Sequence, residues 1–312
     1  MRPATVPVAP RSVRDLLASA SAALGSPSQA RWVVAHATGT STGDLVARPD
    51  AVADPRVSAA VKDMVDRCLA GEPLQYVLGT WAFRTLELRV DPRVLIPRPE
   101  TEQVVAVALD ELCVQSRRVA ADARLVAVDL GAGSGAIALS LAVECEELGP
   151  ERTRSGSIEV WATDVSPGAL EVFDENLAAL APRSPEAAAR VRVAQGSWFE
   201  ALPGTLAGDV ALIVSNPPYV SEAEWEALEP VVRDHEPRTA LVPGPTGFEA
   251  IEGLLHHALR WLTPGGSLVI EMAPGQADEV RKTAAQLGYE KPEVRDDLAG
   301  RPRVLVARLP AS

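Results

Sequence analysis

Leu125-Val126-Ala127-Val128-Asp129-Leu130 runs without a break into Gly131-Ala132-Gly133-Ser134-Gly135, and Ala136-Ile137-Ala138-Leu139 follows at once. The first six residues, apolar apart from Asp129, have the length and character of a strand buried on both faces of a parallel sheet. Three glycines at alternate positions then allow a tight turn and bring a ligand close to backbone N–H groups at the start of the next helix. From here the pattern of strand, loop and helix repeats. Strands are expected at 125–130, 158–163, 190–194, 209–215, 267–272, 289–294 and 303–308, with helices at 135–147, 168–180, 249–262 and 276–287. Such alternation predicts an α/β, doubly wound, mostly parallel sheet whose ligands sit beyond the carboxyl ends of the strands. The stretches 149–157 and 181–189, rich in Gly, Pro, Ser, Arg and Glu, read as surface loops.

The fourth of these strands, Asp209 to Ser215, is stopped abruptly by Asn216-Pro217-Pro218-Tyr219. Proline lacks a backbone N–H and pushes the residue before it into an extended conformation, so the asparagine and the first proline present their carbonyls. An asparagine amide with two such carbonyls is an acceptor-rich clamp. It suits a planar NH2 group, binding its hydrogens and leaving the nitrogen aimed at an electrophile while Tyr219 packs on the flat face.

Upstream of residue 80 the pattern is helical. Ser12 caps a helix through Val13, Leu16, Leu17, Ala20 and Leu24 to Gly25, Ser28 opens a second, and Val57 to Leu69 line a third that stops at Gly71. Glu72 to Gly79 break the helical pattern. Trp81 to Val90, a turn at Asp91-Pro92 and Val94-Leu95-Ile96 read as a β-hairpin. The expected domains are a helical recognition module at 1–78, a hairpin linker at 79–96 and a catalytic domain at 97–312. Pro97-Arg98-Pro99-Glu100-Thr101-Glu102 then begins a helix at Pro99 or Thr101, its acids suiting the positive end of the helix dipole. Capping leaves Arg98, between two prolines, unexplained.

The chain has 312 residues, 47% of them hydrophobic, and a net charge of −12. Residues 1–78 hold eight basic and seven acidic side chains, residues 79–312 hold 22 and 35. An acidic catalytic half argues against a surface that tracks nucleic-acid phosphates and towards a protein or small-molecule substrate. Cys68, Cys113 and Cys145 are odd in number and far apart, and the four histidines do not stand at metal-ligand spacing with them, so neither disulfides nor a metal site is expected. No apolar run reaches the roughly 18 residues of a membrane span, and the N-terminus lacks the apolar core of a signal peptide. A cytoplasmic protein is expected.

Asp-x-Gly-x-Gly-x-Gly from Asp129 to Gly135 also contains the spacing of a dinucleotide fingerprint, but that motif wants an acid about 20 residues on, and position 149 is Gly. The acid ending the second strand is Asp164. The pattern resembles class I S-adenosylmethionine-dependent methyltransferases, with a Rossmann-like fold. That resemblance implies that Asp129, Gly131, Ala132, Gly133, Ser134 and Gly135 line the cofactor's methionine part, that Asp164 binds its ribose and Trp198 its adenine, and that Asn216 also touches it.

Asn/Asp-Pro-Pro-Tyr/Phe belongs to enzymes that methylate exocyclic NH2 groups of adenine, cytosine or glutamine. With Leu95 to Glu102, Asp129 to Leu139 and Glu236-Pro237-Arg238 alongside, the chain resembles the HemK/PrmC family of glutamine N5-methyltransferases that modify the Gly-Gly-Gln loop of peptide-chain release factors. Two departures stand out: Ser197 where relatives often carry Asp, and His235 where an aromatic is common. The resemblance implies Asn216, Pro217, Pro218 and Tyr219 as catalytic residues, S-adenosyl-L-methionine as cofactor (S-adenosyl-L-homocysteine as product), and class 1 release factors as protein substrate. It also implies no direct contact with nucleic acid or membrane and a monomeric enzyme. The rival substrates are a ribosomal-protein glutamine and, further off, DNA adenine, which would call for more positive charge. A non-catalytic scaffold is disfavoured by the intact Asn216–Tyr219 loop.

Overall fold

The computed structural model describes residues 12–120, 123–145 and 158–311, so the loop expected at 149–157 lies outside the described residues. The chain divides into two compact units, one running to Gly79 and including Pro230–His235, the other holding the rest.

In the first unit, α1 (Val13–Leu24) starts as expected at Ser12. The Ser12 Oγ accepts from the Asp15 N–H at 3.2 Å, the Asp15 carboxylate accepts from the Ser12 N–H at 3.0 Å, and Gly25 ends the helix in the left-handed region at φ 65°. Helix α2 (Pro27–Thr38) is capped by Ser26 and not by Ser28, because Pro27 occupies the first helical position, where a missing N–H costs nothing. A short α3 (Thr42–Ala47), not anticipated, buries only Leu45. Helix α4 (Pro55–Leu69) begins before its first apolar residue, capped by Asp54. The stretch expected to break the pattern instead forms α5 (Leu74–Leu78), one helical turn closed by Gly79 at φ 72°. Val13, Leu16, Ala20, Ala30, Val33, Val34, Val61 and Val65 are buried where α1, α2 and α4 meet.

The second unit opens with an antiparallel hairpin of β1 (Thr80–Phe83) and β2 (Leu86–Arg89), turning at Arg84-Thr85. The expected turn at Asp91-Pro92 forms, with the Val94 N–H donating to the Asp91 carbonyl at 3.0 Å, but no strand follows at 94–96. The Asp91 carboxylate accepts from the Arg93 N–H at 3.0 Å and the Glu236 carboxylate from the Ile96 N–H at 3.2 Å, so side chains take the hydrogen bonds a ladder would need. Arg84 holds the β1–β2 turn by donating to Glu144 and to the Glu102 carbonyl.

Then follow α6 (Pro99–Ser116), β3 (Leu125–Leu130), α7 (Ala136–Glu144), β4 (Ile158–Asp164), α8 (Pro167–Leu180), α9 (Pro185–Arg190), β5 (Val191–Gln195) and β6 (Val210–Ser215). The single turns α10 (Glu222–Trp225) and α11 (Pro230–Arg233) precede α12 (Glu249–Trp261), β7 (Leu262–Glu271), α13 (Ala277–Gln286), β8 (Glu290–Asp296) and β9 (Pro302–Arg308). Each of the seven strands expected from residue 125 onward is present; β3 has the expected bounds, and the ends of the others lie within five residues of theirs. Part of the loop expected at 181–189 is instead α9: a Pro at the first position and three consecutive alanines favour helix, and its Arg190 is buried, donating to the Ala142 carbonyl at 3.1 Å.

Strands β3 to β9 form one sheet in the order β5-β4-β3-β6-β7-β9-β8, parallel from β5 to β7, with β9 antiparallel to both its neighbours. Strands β3 and β6 are buried at every position. Along β3, Leu125 and Ala127 face a core shared with α6 and α7, while Val126, Val128 and Leu130 face one shared with α12 and α13. The order reverses between β3 and β6, the topological switch point at which a doubly wound sheet opens a crevice at its carboxyl edge. No helix among the described residues is long and apolar enough to cross a membrane.

Candidate active site

The chain leaving β3 at Leu130 must turn beside the chain leaving β6 at Ser215, and the two are stapled where they part: Ser215 Oγ donates to the Leu130 carbonyl at 2.6 Å. The Gly131 and Ala132 N–H groups both donate to the Thr163 carbonyl, each at 2.9 Å. Gly131, Gly133 and Gly135 have φ of 76°, 54° and 87°, the left-handed region that a side chain disfavours. At Gly135 a Cβ would lie 2.9 Å from the Phe173 ring, so the loop is pressed onto α8. Asn176 of α8 holds it from beneath, donating to the carbonyls of Ser134 at 2.9 Å and Arg89 at 3.1 Å.

Asp164 ends β4, and its two oxygens accept from the N–H groups of Gly133 and Ser166, each at 2.9 Å. Asp129 lies under the loop, fully buried; one oxygen accepts from the Ala138 N–H at 2.9 Å and the other has no partner. Burial pushes its pKa up to about 7, the Ala138 bond opposing and the Asp164 charge adding. Trp198 holds φ 46°, with its carbonyl accepting from Thr163 Oγ1 at 3.2 Å; a Cβ on Gly131 would stand 3.4 Å from its ring.

These residues line a cavity of about 330 Å³ that includes Gly131, Gly133, Asp164, Trp198, Asn216 and Pro218. The one basic residue among those lining it, Arg93, is already engaged by Asp91, Glu171 and Glu175, which leaves Asp164 to set the charge of the wall. A second, smaller cavity of about 30 Å³ adjoins, lined by Leu95, Arg98, Pro217, Tyr219, Val220 and the same Asn216. Arg98 is tied to Glu236 at 2.5 Å.

Asn216, Pro217, Pro218 and Tyr219 therefore come together with Gly131, Gly133, Asp164 and Trp198. Ala132, Ser134, Gly135 and Asp129 shape the loop from behind and do not line the cavity. Two residues escaped the sequence reading as site residues. Thr101 in the first turn of α6 and Glu271 at the end of β7 are both buried, and Glu271 Oε2 accepts from Thr101 Oγ1 at 2.7 Å and Oε1 from the Tyr219 hydroxyl at 3.1 Å. Thr101 Oγ1 in turn accepts from Asn216 Nδ2 at 3.1 Å. Burial raises the pKa of Glu271, against the hydrogen bonds from Thr101 and Tyr219 and the charge of Arg303; burial, with the charge of Glu271, raises that of Tyr219. The signal was present: Glu271, like Asp129 and Asp164, is an acid at the carboxyl end of an apolar strand.

Residues 11–79 match the model of the PrmC N-terminal domain family. Over 93% of its length the chain is 38% identical to the release factor glutamine methyltransferase of Streptomyces coelicolor, covering 93% of that protein. This chain belongs to the release factor glutamine methyltransferase family. The family's enzyme from Bordetella pertussis is 37% identical, with 94% of this chain and 97% of that one aligned. Among solved structures, the catalytic domain of hMettl16 in complex with a MAT2A 3′UTR hairpin aligns with 72% of this chain and 74% of its own at a TM-score of 0.50 and 13% identity, a likeness of fold.

Proposed function

We propose that this protein transfers a methyl group from S-adenosyl-L-methionine to the side-chain amide nitrogen of the glutamine in the Gly-Gly-Gln motif of class 1 release factors, acting as a monomer in the cytoplasm. The observation that carries the proposal is that Asn216 lines both cavities at once, the larger of a size usual for small-molecule ligands and the smaller fit for one slim group. The larger cavity suits this cofactor. Its only unpaired charge is that of Asp164, which favours a cationic, hydroxylated ligand over a pyrophosphate, and Trp198 offers a flat apolar face. Asp164 would hold the ribose hydroxyls, Trp198 the adenine, and the Gly131–Gly135 loop, with Asn216, the methionine end. When bound, S-adenosyl-L-methionine supplies an electrophilic methyl group.

The amide nitrogen is a poor nucleophile because its lone pair is delocalised into the carbonyl. Acceptors that draw on its two hydrogens offset this as positive charge develops. In this reading Asn216 Oδ1 and the Pro217 carbonyl take those hydrogens, Pro218 fixes the carbonyl before it, and Tyr219 covers the face of the amide and excludes water. The small cavity favours a glutamine side chain over a flipped adenine. The domains expected at 1–78, 79–96 and 97–312 divide the work, the helical residues gripping the release factor remote from the amide. Incubation with labelled S-adenosyl-L-methionine and purified release factor, followed by mass spectrometry of its peptides, should place one methyl group on the Gly-Gly-Gln glutamine. Label appearing instead on a ribosomal protein or on DNA would overturn the proposal.

A further inference from the structure

An asparagine side chain is ambiguous at an active site, because its two ends differ only in whether they donate or accept. As an acceptor of a substrate NH2 group it must present Oδ1; turned over, it would offer two donors to two donors. Something in the protein has to decide. Asn216 sits on the end of β6 with its amide reached by a single chain of side chains, each with a fixed polarity. Glu271, 1% exposed, receives the Thr101 hydroxyl on one oxygen and the Tyr219 hydroxyl on the other. Thr101 has one hydroxyl hydrogen. Once it is given to Glu271, Thr101 Oγ1 can only accept, and the group it accepts from is Asn216 Nδ2.

We propose that Glu271 and Thr101 are positioning residues that set which way round the Asn216 amide lies, so that Nδ2 is consumed by Thr101 and Oδ1 faces the substrate. The inference deepens the proposed methyl transfer and rests on Asn216 acting as an acceptor there. The same carboxylate holds the Tyr219 hydroxyl, so one buried acid orients both ends of the Asn216–Tyr219 loop. Three elements meet in it: Thr101 comes from α6, Glu271 from β7 and the loop from β6. Arg303, 8% exposed and donating to the Met272 carbonyl at 3.2 Å, adds positive charge behind the acid.

Three substitutions and one spectroscopic measurement test this. Thr101→Val keeps the shape and removes the hydroxyl, Thr101→Ser keeps the hydroxyl, and Glu271→Gln keeps the shape and can donate to Thr101, allowing the hydroxyl to turn and the Asn216 amide to flip. Thr101→Val and Glu271→Gln should each lower kcat about 10- to 100-fold, the scale on which misplacing one oriented group acts. The Kd for S-adenosyl-L-homocysteine should stay within about twofold, and Thr101→Ser should recover most of the rate. The second readout needs no substrate. In nitrogen-15 spectra of the unliganded protein, the Asn216 side-chain NH2 pair, assigned by its loss in Asn216→Ala, should exchange slowly with water and should shift or lose protection in both Thr101→Val and Glu271→Gln.

Wild-type kcat in Thr101→Val, an equal loss in Thr101→Ser, or an Asn216 NH2 pair that is unprotected in the unaltered protein would overturn the inference. The last result decides it even if a variant fails to fold. Failure of the methyl-transfer reading looks different: the unaltered enzyme would leave the glutamine unmodified while the Asn216 resonances still responded to residues 101 and 271.

Discussion

The carboxylate of Asp164 at the end of β4 accepts a hydrogen bond from the backbone N–H of Gly133, 2.9 Å away in the loop that follows β3. The acid closing one strand thus braces the glycine turn closing its neighbour, and what remains of its acceptor capacity faces the larger cavity. Asp164→Ala should weaken binding of S-adenosyl-L-homocysteine by about 1.5–3 kcal/mol, the worth of a charge-assisted hydrogen bond left unmade. Titration calorimetry reads this directly. Unchanged affinity for that ligand, with a loss of affinity for NADH, would mean that the cavity serves a dinucleotide.

Asn216→Ala should separate binding from chemistry. Removing the amide deletes an oriented acceptor but leaves the glycine loop and Asp164 in place, so cofactor affinity should fall only modestly, through the contact with the methionine end, while transfer to a Gly-Gly-Gln substrate falls roughly 100-fold or more. Single-turnover transfer of labelled methyl at saturating cofactor is the measurement, and near-normal turnover would remove Asn216 from the reaction.

The three glycines of the loop are conformationally alike but differ in surroundings. Gly135→Ala meets both a left-handed backbone and a Cβ 2.9 Å from Phe173, and should cost about 2–4 kcal/mol of stability. Gly133→Ala finds nothing within 4 Å and should cost only the backbone term, about 1–2 kcal/mol, while hindering a ligand in the cavity it lines. Denaturant unfolding of both variants tests the order; equal losses would show that backbone conformation alone governs the loop.

Asp129 should make stability depend on pH. Its folded-state pKa is about 7 against an ordinary value of 3.8, so the folded protein holds this proton over a range in which the unfolded chain has released it. Below about pH 4 both states are protonated and the contribution vanishes; from there to about pH 7 folding loses stability as pH rises, levelling above 7 at a deficit of a few kcal/mol. Asp129→Asn, which keeps an acceptor for the Ala138 N–H, should therefore gain on the unaltered protein between pH 5 and pH 8 in urea unfolding. A difference in stability between the two proteins that is the same at both pH values would refute the assignment.

The sheet was legible because its information is local. A six-residue run such as β6, apolar but for Ser215, can satisfy its backbone only in a buried ladder, and Pro217-Pro218 announces where it stops. Two of the differences come from contacts between residues far apart in sequence. No strand forms at 94–96 because the Glu236 carboxylate, 140 residues away, captures the N–H of Ile96. Thr101 and Glu271 are each unremarkable in the sequence, and only the packing of α6 against β7 makes them a chain leading to Asn216. Propensity and spacing describe neighbours in sequence. Side chains that substitute for backbone partners at long range lie outside their reach.

The helical residues ahead of β1 test whether remote contacts drive the reaction. Methylating one glutamine of a large protein substrate draws on binding energy far from the amide, and a helical unit lacking every candidate catalytic residue is suited to provide it. The first compact unit runs to Gly79, which closes α5, and that is where the chain is best cut. A chain beginning at Thr80 should bind S-adenosyl-L-homocysteine yet methylate full-length release factor at least about tenfold less efficiently in kcat/KM, while its weak activity on a short Gly-Gly-Gln peptide changes little. If the helices merely cover apolar surface, the truncated protein will aggregate or lose the ligand as well. An equal loss on peptide and on full-length factor, in a soluble truncation that still binds the ligand, would end the recognition role.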